Sequence, residues 1–103
     1  MQWENKRVCM TKDLAAMLGV RKGHLLRNFS RNRERFQDGE HVYWMEGEDM
    51  QQFKKGHREI QRLTHCLLWT EKGAYRAMQL FRAPHVKHNY IQKVFPYYQE
   101  GEQ

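Results

Sequence analysis

The segment Thr11–Arg35 constrains the fold of this chain more than any other part of the sequence. Its first half predicts a helix, because three apolar residues recur at helical spacing and form one stripe. That stripe consists of Leu14, Ala15 and Leu18. We expect Thr11 to cap this helix at its N-terminus. Gly19 should end it, because glycine enters the left-handed conformation without a side-chain penalty.

The second half of the segment predicts another helix, in which Leu25 and Phe29 stand four residues apart and face back onto the first. Two short helices around a tight turn are typical of a helix-turn-helix, whose second helix enters the major groove of DNA. The polar residues of the second helix are therefore the predicted contacts to bases and phosphates: Arg21, Lys22, His24, Arg27, Asn28 and Arg31. Arginine matches guanine and asparagine matches adenine in the major groove. An ordinary helical hairpin with a solvated basic face would give the same pattern.

Two residues depart from an ideal second helix. Arg21 stands where a Ser, Thr, Asp or Asn cap is expected. Gly23 costs a helix roughly 1 kcal/mol relative to alanine. If Gly23 is helical, the close approach of a backbone or of a phosphate would explain its presence.

The middle of the chain predicts a small antiparallel sheet. Residues 41–45 and 64–69 are rich in aromatic and apolar residues and should pair as a wing-like hairpin beside the helices. Between them we expect a short acidic helix over residues 46–53 and an exposed basic loop over residues 54–62. Residues 3–10 predict an additional edge strand.

The C-terminal third predicts two helices. Thr70 should cap the first of them, over residues 71–82, and Pro84 favours the first turn of the second. The predicted fold is therefore α+β: a helix-turn-helix, a two- or three-stranded wing-like sheet and two C-terminal helices. We expect a single domain over residues 1–99, followed by an acidic tail over residues 100–103.

Charge is distributed unevenly along the chain, which has a net charge of +6. Residues 21–35 carry a net charge of +5, residues 38–50 carry −5, and residues 54–62 carry +3. One face of the domain should therefore be positive and suited to a polyanionic partner such as double-stranded DNA. Additional phosphate contacts are predicted at Arg33, Arg35, Lys54, Lys55 and Arg58.

Several other classes of protein are disfavoured by the sequence. No apolar run approaches the roughly 20 residues that cross a bilayer, and the basic helix lacks a wide apolar face, so we expect no membrane partner. The first residues lack the apolar segment of a secretory signal, so a cytoplasmic location in a host cell is expected, with Cys9 and Cys66 reduced. Neither cysteine nor the pair His85 and His88 has a recognisable metal-ligand spacing. We expect no metal, no cofactor and no catalytic residues.

Two blocks of sequence, residues 7–36 and residues 67–96, together resemble a known family. The first is RVCMTKDLAAMLGVRKGHLLRNFSRNRERF and the second is LLWTEKGAYRAMQLFRAPHVKHNYIQKVFP. They are similar to the N-terminal domains of phage and large-virus antirepressors, the KilA-N and Bro-N relatives, and most closely to the Orf-six N-terminal type. The resemblance implies a small α+β DNA-binding domain of a phage or prophage regulator of transcription.

Other partners remain open at this point. A homodimer could form through the closing helix, although its aromatic residues are equally suited to a core: Tyr90, Phe95, Tyr97 and Tyr98. The main alternative function is a viral protein-interaction module, which would bind a host or phage regulatory protein through the acidic and aromatic segment of residues 38–53.

Overall fold

The computed structural model describes residues 1–93, which form a mixed α+β fold. Its strands are β1 (Gln2–Trp3), β2 (Lys6–Met10), β3 (Val42–Glu46) and β4 (His65–Thr70). Its α-helices are α1 (Thr11–Leu18), α2 (Lys22–Arg31), α3 (Gly47–Lys54), α4 (Glu71–Leu80) and α5 (Pro84–Lys93). Two single turns of 3-10 helix lie at Arg33–Arg35 and Arg58–Ile60.

The four strands form one antiparallel sheet in the order β1-β2-β4-β3. The interior strand β4 is buried on both faces: Cys66 and Leu68 pack on one face and Trp69 on the other. A strand with two buried faces needs a neighbour on each side to satisfy its backbone. Trp69 accordingly lies opposite Cys9 of β2 and opposite Val42 of β3.

The sheet confirms the predicted antiparallel pairing of β3 with β4, but it differs from the wing that the sequence suggested. The two strands belong to a four-stranded sheet, whereas we expected a separate hairpin of two or three strands. The N-terminal strand β2 was predicted at an edge and lies between β1 and β4. Its Val8 and Met10 are buried, and they lie opposite Thr70 and Leu68 of β4.

Two apolar clusters occupy the two faces of the sheet. The larger cluster joins α1, α2, α4 and α5 to one face, with Leu14, Leu25 and Trp69 fully buried. The smaller cluster joins α3 and the Arg58–Ile60 turn to the other face, through Met50, Phe53 and Ile60. We call these two sides the four-helix face and the α3 face.

The first two helices are present as predicted, and the stripe Leu14, Ala15 and Leu18 is buried. Gly19 ends α1 in the left-handed conformation, with φ of 73°. The expected N-cap is wrong, because Met10 occupies the cap position and Thr11 is the first helical residue. Thr11 is buried and its hydroxyl accepts a hydrogen bond from Nε1 of Trp69 at 3.0 Å. The Thr11 hydroxyl, which was expected to cap the helix, is therefore used in a hydrogen bond within the core.

The C-terminal helices also follow the sequence prediction. Thr70 caps α4 by accepting a hydrogen bond from the Gly73 amide at 3.0 Å. Val86 and Tyr90 of α5 are buried, so Tyr90 belongs to the core and not to an exposed dimer contact. Phe95, Tyr97 and Tyr98, together with the predicted domain limit at residue 99 and the acidic tail, lie outside the described residues. None of the helices within residues 1–93 combines the length and the apolar character that crossing a membrane requires.

Candidate nucleic-acid interface

Helix α2 packs against the rest of the domain through one apolar side. Leu25 is fully buried, and the ring of Phe29 lies 5.0 Å from that of Phe36 and 5.3 Å from that of Trp69. These contacts fix the rotation of the helix about its axis, because residues four apart lie on the same side. The opposite side of α2 is therefore turned to solvent.

Four cations occupy the exposed side of α2 and its start: Arg21, Lys22, Arg27 and Arg31. We call these residues the cationic face of α2. None of the four forms an ion pair with a carboxylate in the described part of the chain. Their charge is therefore not neutralised by a partner within residues 1–93, and it is available to an external anion.

The N-terminus of α2 has no side-chain cap. Arg21 occupies the cap position in an extended conformation, and its side chain does not bond to the first turn. The amide groups of the first helical turn have no partner within the helix, and they attract anions together with the helix dipole. Here the first turn begins with two exposed cations, Arg21 at the cap position and Lys22 as the first helical residue.

Gly23 is helical and lies in this first turn. A Cβ atom placed on it would meet, within 4 Å, only Nη1 of Arg27 at 3.7 Å, when its chain neighbours and the backbone of α2 are left aside. No other element among residues 1–93 comes close enough to require a glycine. The packing of the domain thus gives no reason for the absence of a side chain, and the surface beside Gly23 is open.

Two of the predicted contact residues of α2, Asn28 and His24, make contacts within the domain. Asn28 is half-buried and its Nδ2 donates to the Leu80 carbonyl of α4 at 3.4 Å. The amide therefore points to α4 and away from the cationic face, so the adenine contact predicted for Asn28 has no support from its position. The ring of His24 packs edge-on against Phe81 at 5.0 Å, which places His24 at the margin of the exposed side.

Of the two predicted phosphate contacts that follow α2, Arg33 is engaged within the chain. It forms an ion pair with Asp38 at 2.7 Å and donates to the Phe36 carbonyl at 2.7 Å. The predicted phosphate contact of Arg33 would therefore have to compete with its ion pair to Asp38. The side chain of Arg35 is exposed, and its carbonyl accepts a hydrogen bond from Arg76.

The other predicted phosphate contacts, Lys54, Lys55 and Arg58, belong to α3 and the turn that follows it. We expected this basic loop beside the helices. The structure instead packs α3 and the turn through Phe53 and Ile60 onto the α3 face, whereas α2 lies on the four-helix face. The sheet separates these three cations from the cationic face of α2, so the predicted set does not form one surface.

Residues 1–80 match the model of the ORF6N domain. The chain belongs to the ORF6N domain family. The match confirms the resemblance to the Orf-six N-terminal type, and it indicates a phage-type regulatory protein. No curated protein and no solved structure matches the chain.

Two further basic residues of this ORF6N chain lie close to α2 or to the turn before it, and neither was among the predicted contacts. Arg82 is exposed and follows Phe81, whose ring touches His24. His85 is exposed, and its ring approaches within 4.0 Å of the Cβ position of Gly19 in the turn before α2. In the sequence, Arg82 and His85 stand out only as part of the basic run after α4. Their position in that run does not show that it packs beside the turn between α1 and α2.

Burial shifts the pKa of two groups inside the ORF6N domain, Cys9 and His41. Burial raises the pKa of the Cys9 thiol to about 12, and the nearby carboxylate of Asp13 adds to this effect. Burial also lowers the pKa of His41, and the positive charge of Arg76 contributes. Within the described residues, no three His, Cys, Asp or Glu side chains lie together in a way that could hold a metal ion.

Proposed function

We propose that this ORF6N domain binds double-stranded DNA in a sequence-specific way, as part of a phage or prophage regulator of transcription of the antirepressor type. Helix α2 would enter the major groove with its cationic face. The observation that carries this proposal is the uncapped N-terminus of α2, where Gly23, which directly follows the exposed residues Arg21 and Lys22, carries no side chain that would cover the backbone.

The side chains of the cationic face suggest separate roles. Arg27 follows Gly23 by one helical turn, and its guanidinium, which lies beside Gly23, matches the two acceptors of guanine. Arg21 and Lys22 flank the free amides of the first turn, where a phosphate would be bound by charge and by backbone donors together. Arg31 in the last turn is suited to a phosphate, which positions the helix without specifying sequence.

The test is a titration of random-sequence duplex DNA over a range of salt concentrations, followed by selection of the bound fragments near physiological salt. Each phosphate contact should contribute roughly −0.9 to the slope of log K against log salt concentration. Lys22→Ala should weaken binding and reduce the steepness of this slope by about one contact. Binding that does not depend on salt, or no enrichment of any sequence, would refute the proposal.

The chain offers a matched control for this test in Lys55. It is an exposed lysine at the end of α3, on the α3 face of the sheet. Lys55→Ala removes the same charge as Lys22→Ala but from the other side of the domain. We expect the affinity and the salt slope of Lys55→Ala to equal those of the unmodified protein, whereas equal losses in both variants would indicate attraction by net charge alone.

A further inference from the structure

Strand β3 forms an edge of the sheet, and part of that edge is open. In an antiparallel pair, the residues whose N–H and C=O groups face the partner strand alternate with residues whose groups face away. The Thr70 amide donates to the His41 carbonyl at 3.0 Å across this pair, so Tyr43 and Met45 continue the bonded set toward β4. The N–H and C=O of Trp44 and the N–H of Glu46 therefore point away from β4.

The structure shows how far this edge is covered. At the start of β3, the Gly39 amide donates to the Val42 carbonyl at 2.8 Å, so the chain itself occupies that end. Trp44 has no backbone hydrogen bond on its outward side to any residue in the 1–93 range. We call the stretch Trp44–Glu46 the open β3 edge.

The side chain of Trp44 is held in place although it is exposed. Its surface is 51% exposed, its ring lies 5.2 Å from that of His65, and its Nε1 donates to Oε2 of Glu46 at 2.9 Å. A tryptophan that is exposed and already ordered loses little conformational entropy on binding, and tryptophan is common among the residues that dominate the energy of protein interfaces. The open β3 edge thus offers both backbone groups and an apolar surface.

The negative charges near the open β3 edge favour a basic partner. Glu46, Glu48 and Asp49 are exposed, and none of them forms an ion pair with another described residue. The acidic residues near the other end of β3, Asp38 and Glu40, are paired with cations. The unpaired carboxylates repel nucleic acid, and two copies of this edge would bring like charges together.

We propose that the open β3 edge binds an extended, basic segment of another protein, which adds to the sheet as a further strand. The backbone of that segment would bond to Trp44 and Glu46, as in strand addition to other sheet edges. An apolar side chain would rest on the Trp44 indole, and a lysine or arginine would lie near Glu48 and Asp49. This docking site does not depend on DNA binding by α2.

The test uses a seven-residue peptide of alternating lysine and valine, with fluorescence anisotropy for affinity and amide NMR spectra of the labelled protein for location. We expect a dissociation constant on the order of 100 µM, because a short flexible segment loses much entropy on ordering. The amide signals of Trp44 and Glu46 should shift. Trp44→Ala and the charge reversal Glu48→Lys should each weaken binding at least fivefold.

The control variant is Ile91→Ala, because Ile91 of α5 is also 51% exposed but lies outside the sheet. Its affinity for the peptide should be unchanged. A peptide with methylated alternate amides keeps the charge but loses strand pairing, and it should bind at least fivefold more weakly. The proposal is overturned if the peptide does not bind at millimolar concentration, if the methylated peptide binds equally well, or if Trp44→Ala and Glu48→Lys leave the affinity unchanged.

Discussion

Substitution of Gly23 by alanine separates the stability of the ORF6N domain from its proposed function. Gly23 is exposed in the first turn of α2, and a Cβ atom there would make only an ordinary contact with Arg27 at 3.7 Å. Alanine is more favourable than glycine in a helix by roughly 0.5–1 kcal/mol. Since the site has room for the methyl group, Gly23→Ala should stabilise the protein by about that amount. For a domain of this size, the melting temperature should rise by about 2–6 °C.

The same methyl group should weaken DNA binding. It would stand beside the free amides of the first turn of α2 and hold a phosphate oxygen away from them. A hydrogen bond to a charged group contributes about 1.5–3 kcal/mol, and a bond that is stretched rather than lost should cost at least ~1 kcal/mol. That cost corresponds to a roughly fivefold weaker affinity. We therefore expect a more stable protein that binds DNA less well.

The assay pairs a thermal melt with a duplex titration on the same preparation of each variant. Gly56→Ala is the matched control. Gly56 has no atom within 4 Å of its Cβ position, so it too has room for a methyl group, and it follows α3 on the other side of the sheet. Gly56→Ala should leave the affinity for DNA unchanged. If Gly23→Ala raises the melting temperature while its affinity stays equal to that of the unmodified protein, the open backbone of α2 is not a phosphate site.

Three further variants test the placement of individual side chains. Arg27→Ala should weaken specific binding about tenfold and relax one base position, which selection of bound sequences would detect. Asn28→Ala should keep the affinity within about twofold, because its amide points to the Leu80 carbonyl, and a tenfold loss would restore it as a base contact. His41 has a lowered pKa in the folded state and accepts a hydrogen bond from the Gln37 amide, so the unfolded chain binds more protons below pH 6.5. Denaturant unfolding should therefore show stability falling as pH drops below about 6.5, and His41→Gln should reduce that dependence.

The helices that form the candidate interface were predictable from the sequence, because helical order depends on residues three and four apart. The stripe of α1, the left-handed Gly19 and the cap at Thr70 are all local features, and each was found as expected. The position of Asn28 beside the core is also a local feature. Asn28 lies three residues after Leu25 and adjoins Phe29, so helical spacing already places it beside the buried stripe.

The neighbours of each strand were decided by tertiary structure. Cys9 and Val42 both lie opposite Trp69, and no local pattern reveals pairing over such separations in sequence. The sequence showed that β2, β3 and β4 could be strands. The order of these strands in the sheet depends on the burial of both faces of β4. That burial exists only once the sheet and the helices have assembled.

The sequence by itself determined where positive and negative charge lies along this chain, and the fold decided which charges share a surface. Arg27 and Lys55 both belong to basic stretches, yet helix packing places one on the four-helix face and the other with α3 on the opposite side. Arg33 is neutralised because the chain returns to bring Asp38 within 2.7 Å of it. The charge of a residue can be read from the sequence. Whether two charged residues share a binding surface depends on which apolar side each helix buries, and this is determined by how the helices pack against the sheet.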